Sequence, residues 1–451
     1  MIPMYYKGLS AIQGSLVILD GVHNPSNGEI VKIHPGKMGR VIRIDGDRVV
    51  VQVFEGTHDM SLEDTVTQFT GRPQRLRLSP DILGRVFDGL GRPIDGLGQI
   101  AAECMRDVNG SAINPVAREY PRSFIQTGIS AIDGLITLIR GQKLPIFSGD
   151  GLPHDLIAAQ IIRQATAPGE PFAIVFGALG IQNDAAAYFR SSLAEIGGMD
   201  KVVMFINVAK DPVVERISTP RVALTAAEYL AYDIGMHVLV ILTDMTAYAE
   251  ALREISSSQG EIPSRKGYPG YLYSELSSIF ERAGIIKGKP GSLTQIPILS
   301  MPADDITHPI PDLTGFITEG QIVLDRSLHQ RGIYPPIGIL PSLSRLMKDG
   351  TGEGYTRGDH PDVANQLFAS YARAGEVRAL AQVIGEEELS TADQQFIAFG
   401  TAFEERFLNQ QNYDSRSVSE TLNLAWELLG ILPKSQLSRI RPEVIQEYGP
   451  K

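Results

Sequence analysis

Residues 146–155 read IFSGDGLPHD. An apolar stretch ends at Phe147, Gly149 and Gly151 make a tight turn, and a helical pattern, LIAAQIIRQA at 156–165, follows. Strand, glycine turn and helix form the scaffold of a phosphate-binding loop, G-x-x-x-x-G-K-[ST]. There the Lys reaches the β- and γ-phosphates and the hydroxyl touches Mg²⁺. With Gly151 on the last glycine, the first-glycine position is Ile146, the Lys position Leu152 and the Ser/Thr position Pro153. Gly149, Asp150, Gly151, Leu152, Pro153 and His154 therefore read as a degenerate P-loop, with the scaffold kept and the chemistry gone. Such a loop suits a protein whose job lies beside a catalytic nucleotide site.

Around the loop, residues 73–345 alternate apolar strands with helical patterns. FAIVFGA (172–178), KVVMFINVA (201–209) and HVLVILTDM (237–245) are near-continuous apolar runs, as parallel strands covered on both faces require. TPRVALTAAEYLAYDIG (219–235) reads as a helix between two of them. The expected fold is a central α/β nucleotide-binding domain, whose ligands sit at the carboxyl ends of the strands. Asp244 ends one strand and stands where a P-loop enzyme holds a Mg²⁺ water. The bland alternative is a strand-end Asp capping a turn.

Residues 1–72 read as β. VIRI (41–44) and RVVVQVF (48–54) flank Asp45-Gly46, a hairpin signal, and a small N-terminal barrel or sandwich fits. Residues 346–451 read as a C-terminal helical bundle. Ser390 and Thr391 can cap a helix with a stripe of Phe396, Phe399, Phe403 and Phe407, and a later helix carries Val418, Leu422, Trp426 and Leu429. Such stripes are packing surfaces before they are binding surfaces.

The net charge of −11 argues against a nucleic-acid partner, which calls for a basic stripe. Cys104 is the single cysteine, so no intrachain disulfide forms and a reducing, cytoplasmic setting is expected. No run reaches the roughly 20 apolar residues of a membrane span, and the N-terminus lacks the apolar core of a signal peptide. Any membrane role is expected to be indirect. His154 and His308 have no metal-ligand spacing, and no metal site is expected.

SGDGLPHD (148–155), residues 225–256, GYPGYLYSEL (267–276), DDITHPIPDLTGFITEGQIVLDR (304–326) and PPIGILPSLSRLMKDG (335–350) together resemble the B subunit of V-type and A-type rotary ATPases, the non-catalytic "beta chain". The likeness runs over nearly the whole chain and is weakest in the first 40 residues or so. In the catalytic subunits of that family a strand ends in G-E-R-x-x-E, whose first Glu positions the attacking water. Aligned at Gly180, that position here is Ile181 and the Arg is Gln182. Isoleucine can neither accept a proton nor orient water.

The resemblance implies a ring of three catalytic A and three B subunits around a central shaft, with peripheral stalks and an indirect link to a membrane ion rotor for H⁺ or Na⁺. It implies a peripheral place on the cytoplasmic face of the membrane. It also implies that ATP or ADP with Mg is bound at the interface shared with the catalytic subunit, none being held tightly by this chain alone. The family's arginine on the SLSR turn is Arg345 here, supplied in trans to the catalytic site. Guanidinium is always charged and planar, so it can pair with γ-phosphate oxygens as charge builds. Tyr334 is expected at the nucleotide interface, and Arg265 and Lys266 on a loop facing the shaft. GEEELSTADQQ (385–395) resembles a segment that presses on the shaft, though a capped helix start with solvated charges also explains it. Gly338 departs from the family pattern, which carries Asp or Asn there, and is expected to loosen the turn before Arg345.

Two other readings stand beside this one. A self-sufficient hexameric ATPase of export or helicase type is opposed by Leu152, Ile181 and the acidic charge. A non-enzymatic scaffold would use the helical domain to meet stalks or cytoskeleton.

Overall fold

The computed structural model describes residues 4–194 and 198–449. The N-terminal strands form a seven-stranded antiparallel sheet in the order Met4–Lys7, Val66–Pro73, Glu29–His34, Lys37–Asp45, Arg48–Val53, Leu16–Leu19, Ala11–Gln13. The strands at the two ends of that order are consecutive in the chain, so the sheet rolls around a core that includes Val17, Val31, Val41, Val51 and Phe69. The expected hairpin forms with a shifted turn. Asp45 pairs with Arg48, so the two loop residues are Gly46 and Asp47. Gly46 takes φ 68, as the first central residue of a type II′ turn does.

The central sheet runs Ile337–Ser344, Gly320–Leu324, Ile146–Gly149, Ser292–Met301, His237–Thr243, Phe172–Ile181, Val202–Val208, Val86–Asp88. Every neighbouring pair is parallel except the first, 337–344 against 320–324. In Phe172–Ile181, Ile174, Phe176 and Ala178 enter one core while Ala173, Val175 and Leu179 enter the other. Burial on both faces is why these strands lack an alternating pattern. The helix expected over 219–235 begins earlier, at Val213, and keeps Pro220 in its interior. An interior proline costs about 3 kcal/mol. Burial of Val222, Ala223, Leu224, Ala226 and Ala227 offsets it. From Leu230 the turn widens and closes on Gly235 in the left-handed region, φ 88.

The C-terminal domain comprises His360–Ile384, Thr391–Ala402, Val418–Leu429 and Pro442–Tyr448, with a widened turn at Phe403–Leu408. Ser390 caps its helix by accepting from the Asp393 amide. The phenylalanine stripe is buried, with Phe403 stacked on Phe399 and Phe407 at 5.8 and 5.0 Å. One apolar core runs from the central sheet into this bundle. Glu404 ties the two together, accepting from Arg378 and Tyr371 of the bundle and from Arg331 of the central domain at 2.7–2.8 Å.

Arg92 joins the barrel to the central domain, reaching Glu55 at 3.2 Å, Glu215 at 3.5 Å and Asp88. Burial, with Asp88 and Asp211 nearby, pushes the Glu215 carboxyl up to about 7, against a donor from the Gly89 amide. A raised folded value means that stabilisation by this group is full below about 4.5, its unperturbed value, and is lost as pH rises to about 7. Urea unfolding across that window is expected to show this slope, and Glu215→Gln to flatten it. An unchanged slope in Glu215→Gln would place the effect on another group.

Candidate functional site

The degenerate loop starts where the strand Ile146–Gly149 ends between 292–301 and 320–324. Gly151 takes φ 77, which the turn requires. Two of the loop's amides are spent internally. Leu152 donates to the Gly149 carbonyl at 3.1 Å and His154 to the Leu152 carbonyl at 2.9 Å. Pro153 has no N–H. The Leu152 side chain is buried in the core, and the Ser148 hydroxyl and His154 Nδ1 bridge the turn at 3.0 Å.

Two residues at the ends of the 304–326 stretch close on this loop. Arg326 holds Asp304 through Nε and Nη2 at 2.6 and 2.8 Å, and Nη2 also donates to the Asp150 carbonyl at 2.9 Å. The Arg326 bond holds the Asp304 carboxyl below its usual range. Any Cβ on Gly149 would collide with Asp304 and Arg326. The Asp304 carboxylate, held by Arg326, is thus packed against the loop.

Asp244 ends the strand His237–Thr243 beside the same loop, as expected. Its carboxylate is already engaged. It caps the helix Met245–Ser258 by accepting from the Thr246 amide at 2.7 Å, and it takes both the Ser300 amide, at 3.2 Å, and the Ser300 hydroxyl. The capping alternative describes this residue. Burial pushes the neighbouring Asp155 carboxyl up, His154 opposes that shift, and Asp244 adds to it. Ile181 is buried, and the preceding Gly180, φ 68, donates to Asn207 and lies against Arg216. Among the described residues no cluster of His, Cys, Asp and Glu has the makings of a metal site, and no helix is long and apolar enough to cross a membrane.

Arg345 lies elsewhere. The strand Ile337–Ser344 runs antiparallel to 320–324, pairing Ser344 with Gly320. That brings Arg345 to the amino end of the parallel strands, where its amide donates to the Glu319 carbonyl at 2.9 Å. Glu319 in turn pairs with Lys143, six residues before Gly149 in the chain. At ~3.3 Å per residue the Arg345 turn and the loop are roughly 20 Å apart along the strand. The Arg345 side chain is exposed. It emerges from the edge strand of the sheet, where Leu340 and Leu343 are 46% and 45% exposed. Gly338 does not loosen this segment. It is buried, and Ser342 links its carbonyl to the Val323 amide across the strand pair.

Tyr334 is half-buried against the helix that follows the loop, its hydroxyl donating to Gln160 at 3.0 Å, and its carbonyl accepts from Gln410 of the helical domain. Arg265 and Lys266 are exposed, but both are held by this chain. Arg265 reaches Asp312 at 3.2 Å and the Thr307 carbonyl at 2.9 Å, and Lys266 reaches Asp305 at 3.1 Å. A partner's acids would have to compete with these contacts. The sequence reading missed Asp304, Arg326 and Ser300. Asp304 and Arg326 were visible only as the two ends of a distinctive stretch.

A model of the ATP synthase alpha/beta family nucleotide-binding domain matches residues 128–344, the family's beta-barrel domain matches 9–71, and the C-terminal domain of V and A type ATP synthase matches 349–449. The chain is 60% identical to a V-type ATP synthase beta chain 2 of Clostridium tetani, over 98% of each chain. It is 56% identical to the B subunit of an A-type ATP synthase of Aeropyrum pernix, over 99% of this chain and 98% of that one. A solved ATP synthase subunit from Nanoarcheaum equitans superposes with a TM-score of 0.76 at 38% identity, covering 92% of this chain and 98% of the other.

Proposed function

The chain belongs to the ATP synthase alpha/beta family as a V/A-type B subunit, and from that premise we propose that it is the non-catalytic, regulatory subunit of the ATPase sector, lending Arg345 to nucleotide held by a neighbouring catalytic subunit. The observation that carries this reading is the separation of Arg345 from the chain's own loop. An arginine side chain spans far less than the roughly 20 Å of strand between them, so Arg345 cannot serve a phosphate at this chain's own loop, which favours a role toward a neighbour. The loop supports the same reading, since the Leu152 and His154 amides are spent, its Lys and hydroxyl are replaced, and the Asp304–Arg326 pair is packed against it.

The function is to help couple ATP synthesis or hydrolysis to H⁺ or Na⁺ transport from a peripheral position on the cytoplasmic side of the membrane. The partners are catalytic subunits in an alternating ring of three and three, central shaft subunits near Arg265 and Lys266, and peripheral stalks. ATP or ADP with Mg sits at the shared interface. There Arg345 would meet the γ-phosphate as charge accumulates, and the exposed Leu340 and Leu343 would be covered by the neighbour. Tyr334, tied to the helix behind the loop, stands at the opposite end of the strand Ile337–Ser344 from Arg345, so it would not border the nucleotide that Arg345 meets.

The test compares the purified chain alone with the chain mixed with its P-loop-bearing partner. No Mg–ATP hydrolysis is expected from the chain alone, and turnover is expected once a ring assembles. Robust hydrolysis by the chain alone would overturn the proposal in favour of a self-sufficient hexamer.

A further inference from the structure

Gln142 is fully buried, and its amide has no role in the loop chemistry. Its Nε2 donates to the Glu319 carbonyl at 3.0 Å and to the Ser344 hydroxyl at 2.9 Å. Its Oε1 accepts from the Ile139 amide at 3.0 Å. The Ser344 hydroxyl passes its own proton to the Thr137 carbonyl at 2.9 Å. The Glu319 carbonyl, held by Gln142, also receives the Arg345 amide, and the Glu319 carboxylate receives the Lys143 amide and ammonium at 2.8 Å each. Lys143 is itself buried and shared with Glu281 at 2.9 Å. Gly320 lets the two strands approach this closely, since a Cβ there would meet the Leu343 carbonyl and the Ser344 backbone. The residues on both sides of the Arg345 peptide are therefore clamped to one buried network, while the guanidinium itself stands exposed.

We propose that Gln142 is a positioning residue for Arg345, acting through the Glu319 carbonyl and the Ser344 hydroxyl to hold the arginine turn at a fixed height on the sheet edge. This rests on the reading of Arg345 as a residue supplied in trans. The network leaves the distal side chain as the moving part. Displacing a charged group by about 1 Å from a developing phosphate charge costs on the order of 10²-fold in rate. The amide has no substitute here, because it must donate twice and accept once in a site closed to water.

The experiment measures kcat and KM for Mg–ATP in the reconstituted complex, per assembled ring, for Gln142→Leu, Ser344→Ala, Ser344→Thr and Arg345→Ala, and for Ser344→Ala combined with Arg345→Ala. Gln142→Leu is expected to lower kcat by about 10- to 100-fold and Ser344→Ala by about 3- to 10-fold, with KM changed far less. Ser344→Thr, which keeps the hydroxyl, is expected to restore most of the rate. Adding Ser344→Ala to Arg345→Ala is expected to cost nothing further, because both act on one interaction. If Gln142→Leu fails to assemble, Ser344→Ala alone decides. Wild-type kcat in assembled Ser344→Ala rings, with Arg345→Ala inactive, would overturn the positioning role and leave the arginine assignment standing. Full activity in Arg345→Ala would overturn the arginine assignment first.

Discussion

Arg345→Ala is expected to lower ATP turnover of the assembled complex by about 10³-fold or more, the range seen for arginines supplied in trans to phosphoryl transfer. The reason is electrostatic. Charge builds on the transferring phosphoryl oxygens, and a guanidinium in a site closed by a neighbouring subunit meets it without reorganising. Arg345→Lys is expected to recover little, because an ammonium lacks the planar fork that pairs with two phosphate oxygens. Assembly should survive both changes. The side chain is exposed, and the turn is held by its backbone amide on Glu319 rather than by the guanidinium. Steady-state turnover of rings whose composition has been verified is the measurement. A rate within a few-fold of wild type would remove Arg345 from the mechanism.

The second large effect concerns stability. Arg282 is 0% exposed, yet it carries a guanidinium and lies against the segment around Gly110. It forks onto Glu228 at 2.6 and 2.7 Å, donates to the Val108 and Arg221 carbonyls at 3.1 and 3.3 Å, and reaches the Thr225 hydroxyl at 2.9 Å. Arg282→Ala removes these partners at once. It leaves the partly buried Glu228 without its counter-charge and a void beneath Gly110, and breaking such a pair from its buried side costs up to about 3 to 5 kcal/mol. Urea unfolding of the isolated chain is expected to show a loss of that size. Replacing Glu228 by Leu as well should return part of it, since an apolar pair leaves no stranded charge. A loss below about 1 kcal/mol in the single variant would mean that water takes over the role of the guanidinium.

Much of the fold is legible in local pattern. The both-face apolar strands at 172–178, 201–209 and 237–245, the Ser390 cap and the phenylalanine stripe each depend on neighbours within a few residues. Each forms where its local pattern calls for it. Two local readings moved. The hairpin turn shifted by one residue, because the pairing of Asp45 with Arg48 sets the loop. The central helix began six residues early and carried Pro220, because burial against the sheet outweighed the local penalty.

By itself the sequence determined what the loop at 146–155 lacks. Side-chain identity is sufficient to establish that Leu152 and Pro153 cannot grip phosphate, and that Ile181 cannot direct water. Only the tertiary structure decided what stands there instead. Arg326 and Asp304 are far from the loop in the chain, and they meet it because the parallel strands 146–149, 292–301 and 320–324 deliver their carboxyl ends to one end of the sheet. The place of Arg345 was decided in the same way. The last strand turns back antiparallel, and that single reversal carries the arginine to the opposite end of the sheet from the loop. Strand direction and pairing order are settled by contacts between distant segments, which no local periodicity encodes.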